Sequence, residues 1–192
     1  CGSEHVSYDK RWLNGYLKSN RPSHESAFDL NKYIWELKRK YWKRKFFIVT
    51  PSSWLSRYVS ESILFKDFPV RTIPNCLDMK VWKPINKFLA RELLNLPKDK
   101  KILVFGTMGS NDAYHKGLDL LLESLEKIEC RNQDIELVIF GQKSKARKVQ
   151  FGMKTHYMGI LKDISSLTAL YSAADLVLAP SRIESFSNVA CE

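Results

Sequence analysis

Cysteine is sparse and scattered in this chain. Cys1, Cys76, Cys130 and Cys191 lie far apart and form no C-x-x-C pair. That spacing argues against a zinc site and a disulfide scaffold, so no metal is expected and a reducing, cytosolic compartment is the default. No apolar run approaches the roughly 18 residues a membrane span needs. The glycine-rich phosphate loops are missing too: neither G-x-x-x-x-G-K-[ST] nor G-x-G-x-x-G occurs. RRM, KH, zinc-finger and helix-turn-helix patterns are absent, as are internal repeats and low-complexity segments. An initiator methionine is also lacking. The chain starts at Cys1 and stops at Glu192 inside a motif, so it reads as an internal fragment and says nothing about a signal peptide.

What is present is an ordinary core-forming composition, 44% hydrophobic and 27% charged over 192 residues, enough for one full domain or two partial ones. Acidic residues are outnumbered, 21 against 31 basic, giving a net charge of +10. Much of that charge lies in Lys38-Arg39-Lys40-Tyr41-Trp42-Lys43-Arg44-Lys45. It suggests an anionic partner: nucleotide phosphates, an acidic membrane face, or nucleic acid. The aromatic and basic face around Trp35, Tyr41 and Trp42 admits either a membrane contact or simple packing.

The first thirty residues are polar and irregular, punctuated by Gly2, Gly15 and Pro22. Asp29 stands at an N-cap position before Leu30, Ile34, Leu37 and Tyr41 at helical spacing. Phe46 to Thr50 reads as a short buried strand. Pro51-Ser52-Ser53 then opens a helix with Leu55, Tyr58, Val59 and Ile63 on its apolar side, and Val70 to Ile73 is a further strand. Asn75 to Pro84 looks like a linker. Beyond it the alternation is regular: strands at Ile102–Phe105, Ile135–Phe140, His156–Met158 and Asp175–Ala179, with helices marked by Leu118, Leu121, Leu122, Leu125 and Ile128, and by Ile164, Leu167, Leu170 and Tyr171. Unbroken apolar strands alternating with helices predict an α/β fold with a doubly wound parallel sheet. Ligands of such a sheet sit at the carboxyl ends of its strands.

Chemistry-bearing residues gather at those ends. Gly106, Gly141 and Gly159 each close a strand, where a glycine lets a ligand approach the backbone and where turn chemistry alone also favours it. Lys116 opens the helix after Gly106 and is placed to neutralise a diphosphate. The last thirteen residues, Pro180 to Glu192, read as strand exit, tight loop and helix start, with Ser185, Ser187 and Asn188 in the loop. Free N–H groups at a helix start form an anion site. Glu184 and Glu192, with seven residues between them, bracket it. A helix over that interval spans at most about 12 Å, a fitting length for a sugar diphosphate nucleoside.

Asn75-Cys76-Leu77-Asp78, Lys116-Gly117, Tyr171-Ser172-Ala173-Ala174-Asp175 and Pro180-Ser181 through Glu192 together resemble the donor-binding half of retaining GT-B glycosyltransferases of family four. The resemblance runs from about Thr50 to Glu192, in the family's order. It implies that residues 1–75 are the C-terminal part of an acceptor-side Rossmann-like domain, and that 76–192 are a truncated nucleotide-sugar donor domain. It implies an enzyme that moves a hexose from a nucleotide diphosphate sugar, UDP- or GDP-linked, to an acceptor hydroxyl with retention, with no further cofactor. Glu184 would face the donor sugar and Glu192 the ribose hydroxyls. Amides near Ser185, Phe186, Ser187 and Asn188 would meet sugar and phosphate, and Lys116 would clamp the diphosphate beside Gly106 and Gly141. The expected partners are a saccharide or lipid-linked saccharide acceptor and a peripheral contact with the inner membrane face, with no nucleic acid. The fragment alone would be inactive.

The sequence departs from the family at two places. Thr107 stands where an arginine often follows Gly106, leaving His115 and Lys116 to serve the diphosphate, and Cys76 replaces a hinge glycine. Other readings of the same residues are a GT-B-fold nucleotide-sugar epimerase or phosphorylase, and a basic nucleic-acid-binding module without catalysis.

Overall fold

The computed structural model describes residues 10–106, 115–127, 134–142 and 151–192. The chain divides into two compact units. One holds Cys1–Asn75 with Glu184–Phe186, and the other holds Cys76–Ile183 with Ser187–Glu192.

In the first unit a short helix α1 (Arg11–Asn14) and a 3-10 turn (Lys18–Asn20) precede the longer α2 (Leu30–Tyr41). Residues 10–30 are thus more regular than their composition suggests. Their organiser is Arg11, a buried guanidinium that donates to Asp29 at 2.8 Å and to Glu25 at 3.2 Å, and lies 4.6 Å from the centre of the Tyr16 ring. Asp29 also caps α2 by accepting from the Lys32 amide at 2.8 Å, as its position predicts. Strands β1 (Ile48–Thr50) and β2 (Val70–Thr72) pair in parallel across helix α3 (Ser53–Glu61), with Ile48 opposite Val70 and Thr50 opposite Thr72.

The expectation of a buried strand over Phe46–Thr50 is corrected. Only Ile48–Thr50 is strand, Phe47 is 74% exposed, and of the strand residues only Thr50 is buried. The described sheet of this unit has two strands, too few to enclose both faces of β1. Phe46 instead meets the rings of Trp42 and Phe68 edge-on. Trp42 also stacks on Phe65 and Trp35 packs on Tyr16, whereas Tyr41 is largely exposed.

The linker 75–84 leads from the first unit into the second and forms neither helix nor strand, and Asp78 turns the chain there by accepting from the Lys80, Val81 and Trp82 amides. Helix α4 (Lys87–Leu93) follows, capped by the Asn86 side chain on the Phe88 and Leu89 amides. Sequence periodicity left this helix unmarked. Then come β3 (Lys101–Gly106), α5 (Leu118–Lys127), β4 (Ile135–Phe140), β5 (Thr155–Gly159), α6 (Ile164–Ala173), β6 (Leu176–Leu178) and the one-turn α7 (Asn188–Cys191). The sheet order is β5-β4-β3-β6, parallel throughout.

Both faces of this sheet are covered. Ile102, Val104, Val138 and Phe140 pack against Ala90 of α4 and Leu170 and Ala173 of α6. Phe105, Leu137 and Ile139 pack against Leu121 and Leu125 of α5 and against Phe151. Alternate residues of one strand therefore serve opposite cores, which is why the strands read as unbroken apolar runs. Among the described residues, no helix is long and apolar enough to cross a membrane.

Candidate functional site

The carboxyl ends of β3, β4 and β5 lie side by side. Gly106 is opposite Phe140, Phe140 is opposite Gly159, and the Gly141 amide donates to the Gly159 carbonyl at 2.7 Å. The glycines answer to different requirements. Gly141 and Gly159 have φ of 87° and 67°, a region that side chains disfavour. At Gly106 an added Cβ would lie 2.7 Å from the Phe140 ring, so core packing by itself demands a glycine there. Thr107 lies outside the described residues.

The loop that carries Lys116 is fastened to the strand exit after β6. The Arg182 amide donates to the His115 carbonyl at 2.9 Å. Gly117 has φ of +71° and sits so close to Pro180 that a Cβ would fall 2.2 Å from the Pro180 carbonyl oxygen. A third tie is the Arg182 guanidinium, which grips Asp119 on α5 through two bonds of 2.6 Å. Those bonds hold the Asp119 carboxyl below its ordinary range. Two segments some sixty residues apart in sequence are thus joined by a backbone bond, a close glycine contact and a bidentate ion pair. His115 and Lys116 lie half-buried at this junction.

Further along, the site residues divide. Glu184, Ser185 and Phe186 group with the first unit, and Ser187, Asn188 and Glu192 with the second. Glu192, expected two turns into the helix that follows the loop, lies one turn in: α7 begins at Asn188 without a side-chain cap from Ser187, and the Glu192 amide donates to the Asn188 carbonyl at 2.8 Å. The Glu192 carboxylate accepts from the Tyr171 hydroxyl at 3.0 Å. Burial first, and then the Glu192 charge and hydrogen bond, push the Tyr171 phenol well above its ordinary pKa, so it remains a donor at physiological pH.

His156 settles away from this edge: it bonds through Nε2 to Glu136 at 2.5 Å near the amino end of β4, where Lys154 also reaches Glu136 at 3.2 Å. Burial alone would raise the Glu136 pKa, but these partners outweigh it and the pKa falls. Cys76 is an exposed thiol. Its φ is not positive, since Asn95 is the sole non-glycine residue with that geometry among the described residues, so replacing a hinge glycine strains nothing at this position. Arg182, Asp119 and the Tyr171 hydroxyl were missed as site residues. Opposite charge was the sole sequence trace of the first two, and Tyr171 was absorbed into the apolar stripe of its helix.

Residues 99–192 match the model of the family described as glycosyl transferases group 1. The lipopolysaccharide 1,2-N-acetylglucosaminetransferase of Salmonella typhimurium is 27% identical over 162 residues, 76% of this chain and 40% of that protein. The glycogen synthase of Mycoplasma mobile is 36% identical over 108 residues, 53% of this chain and 22% of that one. Among solved structures, sucrose-phosphate synthase from Thermosynechococcus elongatus superposes with a TM-score of 0.66 at 21% identity, covering 90% of this chain and 44% of that one. WaaG, a glycosyltransferase involved in lipopolysaccharide biosynthesis, gives 0.60 at 16% identity, covering 96% and 49%. The fold is that of the GT-B glycosyltransferases. The chain spans less than half the length of each of these relatives.

Proposed function

We propose that the intact protein transfers a hexose from a UDP- or GDP-linked sugar to an acceptor hydroxyl, with retention at the anomeric carbon, and that residues 76–192 bind the donor. The observation that carries this reading is the junction of His115-Lys116-Gly117 with Pro180-Ser181-Arg182. That junction supports the reading because doubly wound folds bind nucleotides at the carboxyl ends of their strands, and Lys116 lies between the two residues that make it. As the sugar leaves, negative charge builds on the diphosphate. Lys116, with His115 and the amides of Ser187 and Asn188, stabilises that charge in place, so little reorganisation is needed as the bond breaks. The leaving phosphate then accepts the acceptor's proton. Gly106, Thr107 and Gly141 line the donor, Ser185 and Phe186 meet the sugar and phosphate, Glu184 meets the sugar, and Glu192 takes the ribose hydroxyls.

The acceptor is a saccharide or a lipid-linked saccharide, a reading supported by a relative named for lipopolysaccharide. Residues 1–75 belong to the acceptor side. Tyr41, exposed beside Lys40 on the basic end of α2, suits a peripheral contact with the inner face of the membrane from the cytoplasm. The test is turnover by the intact protein. Lys116→Ala is expected to lower kcat by about 10²- to 10³-fold, the usual cost of losing a charge-stabilising donor. A Lys116→Ala protein with near-normal kcat removes Lys116 from the chemistry.

A further inference from the structure

We propose that Tyr171 is a positioning residue for ribose recognition: its hydroxyl holds one oxygen of the Glu192 carboxylate and leaves the other to accept from the ribose hydroxyls of the nucleotide. The inference rests on the reading of Glu192 given above and goes beyond it.

Glu192 needs such a partner. Its amide donates to the Asn188 carbonyl one turn back, which fixes its backbone but not its side chain. A free glutamate side chain samples several rotamers, and ordering it only when a nucleotide arrives would cost affinity. The Tyr171 hydroxyl removes that freedom by donating to Oε2 at 3.0 Å. Oε1 has no hydrogen-bond partner among the described residues.

Tyr171 itself is well anchored. It lies on α6 next to the fully buried Leu170, its ring meets Phe140 edge-on at 6.0 Å, and it faces Trp82 at 6.1 Å with planes 30° apart. Phe140 is the last residue of β4, so the phenol stands at the carboxyl edge of the sheet, where the donor is read to bind. The high phenol pKa noted above keeps the hydroxyl protonated, and a carboxylate is a pure acceptor. The phenol therefore acts as the donor in this pair. The ribose hydroxyls must act as donors toward Oε1, which a 2′-deoxyribose does less well.

The test is calorimetric binding of UDP, GDP and their 2′-deoxy counterparts to the intact protein, its Tyr171→Phe variant and its Glu192→Ala variant. Tyr171→Phe keeps the ring and its packing. It is expected to weaken binding of the preferred ribonucleotide about tenfold, and to leave the deoxynucleotide nearly unchanged. The ribo-to-deoxy affinity ratio then falls by the same factor, and this ratio is insensitive to any loss of folded protein. A Tyr171→Phe ratio equal to wild type, or an equal loss for both sugars, overturns the proposal. Glu192→Ala separates the two levels. If it collapses the ratio while Tyr171→Phe does not, the positioning role alone falls. If Glu192→Ala also keeps the wild-type ratio, the ribose role of Glu192 falls and the proposal with it.

Discussion

Two arginine–aspartate pairs in the second unit have equally short contacts and opposite settings. Arg91 and Asp175 meet at 2.7 Å with Arg91 only 4% exposed, and their remaining polar atoms are nearly all engaged. Arg91 also donates to the carbonyls of Ala173, Lys98 and Lys100, while Asp175 accepts from the Ile102 amide and from Lys87. This pair ties α4, the start of β3 and the end of α6 into one body. Arg182 and Asp119 meet through two bonds of 2.6 Å, but Asp119 is 52% exposed and solvent screens the pair. The first pair sits inside the architecture and the second at the sheet edge that carries Lys116. The contrast teaches that the fold's electrostatic investment lies away from the proposed chemistry. What holds the site in place is local, partly solvated geometry.

The sharpest break of the contrast is Arg91→Met. It takes a buried charged partner from the Asp175 carboxylate and strands three carbonyls, so a destabilisation of about 3–5 kcal/mol is expected. Urea unfolding measures it, and a loss near zero would show that α4 is held by apolar packing alone. A gentler probe is acid. Burial alone would raise the Asp175 pKa, but the Ile102 amide, Lys87 and Arg91 outweigh it and lower the pKa from 3.8 to about 2. A folded-state pKa below the unfolded one means that the carboxylate stabilises the fold above about pH 4, and that this contribution is lost as pH falls toward 2. The loss is about 2 kcal/mol by linkage. In Asp175→Asn that part of the pH dependence should vanish, and an unchanged acid slope would assign it to other carboxylates.

The same pairs mark what was legible in the sequence. The doubly wound sheet was readable because Leu118, Leu121, Leu122 and Leu125 follow the helical period and the strands are continuous apolar runs. Asp29 announced its helix as a cap. Helix α4 was not readable: it is short, and its anchor is an ion pair to a residue 84 positions away. The exposure of β1 was hidden because apolar strand residues look alike whether or not a neighbour covers them. At the site, glycine, lysine and glutamate were readable as types. Yet Gly106 turned out to clear a phenylalanine ring, and Glu192 to be one turn from Ser187 and bonded to a phenol. Such pairings between distant positions leave no local signal in one sequence.

The smallest expected effect on stability, and the one that sharpens the comparison most, comes from Arg182→Met. The pair it breaks is exposed at Asp119, so the unfolding midpoint should stay close to wild type, in contrast to Arg91→Met. The Arg182 amide bond to His115 and the Gly117–Pro180 contact are backbone features and survive the change. What is lost is the guanidinium grip that fixes the first turn of α5 relative to the strand exit, and with it the exact placement of Lys116. Small misplacements at a reacting centre are costly, so kcat in the intact protein is expected to fall about tenfold with little change in donor KM. Arg182→Lys keeps the charge but not the planar fork, and should recover only part of the rate. If Arg182→Met unfolds as early as Arg91→Met, the edge pair is architectural and the contrast between the two collapses. If it keeps wild-type kcat, the backbone junction alone positions Lys116 and the ion pair is incidental to it.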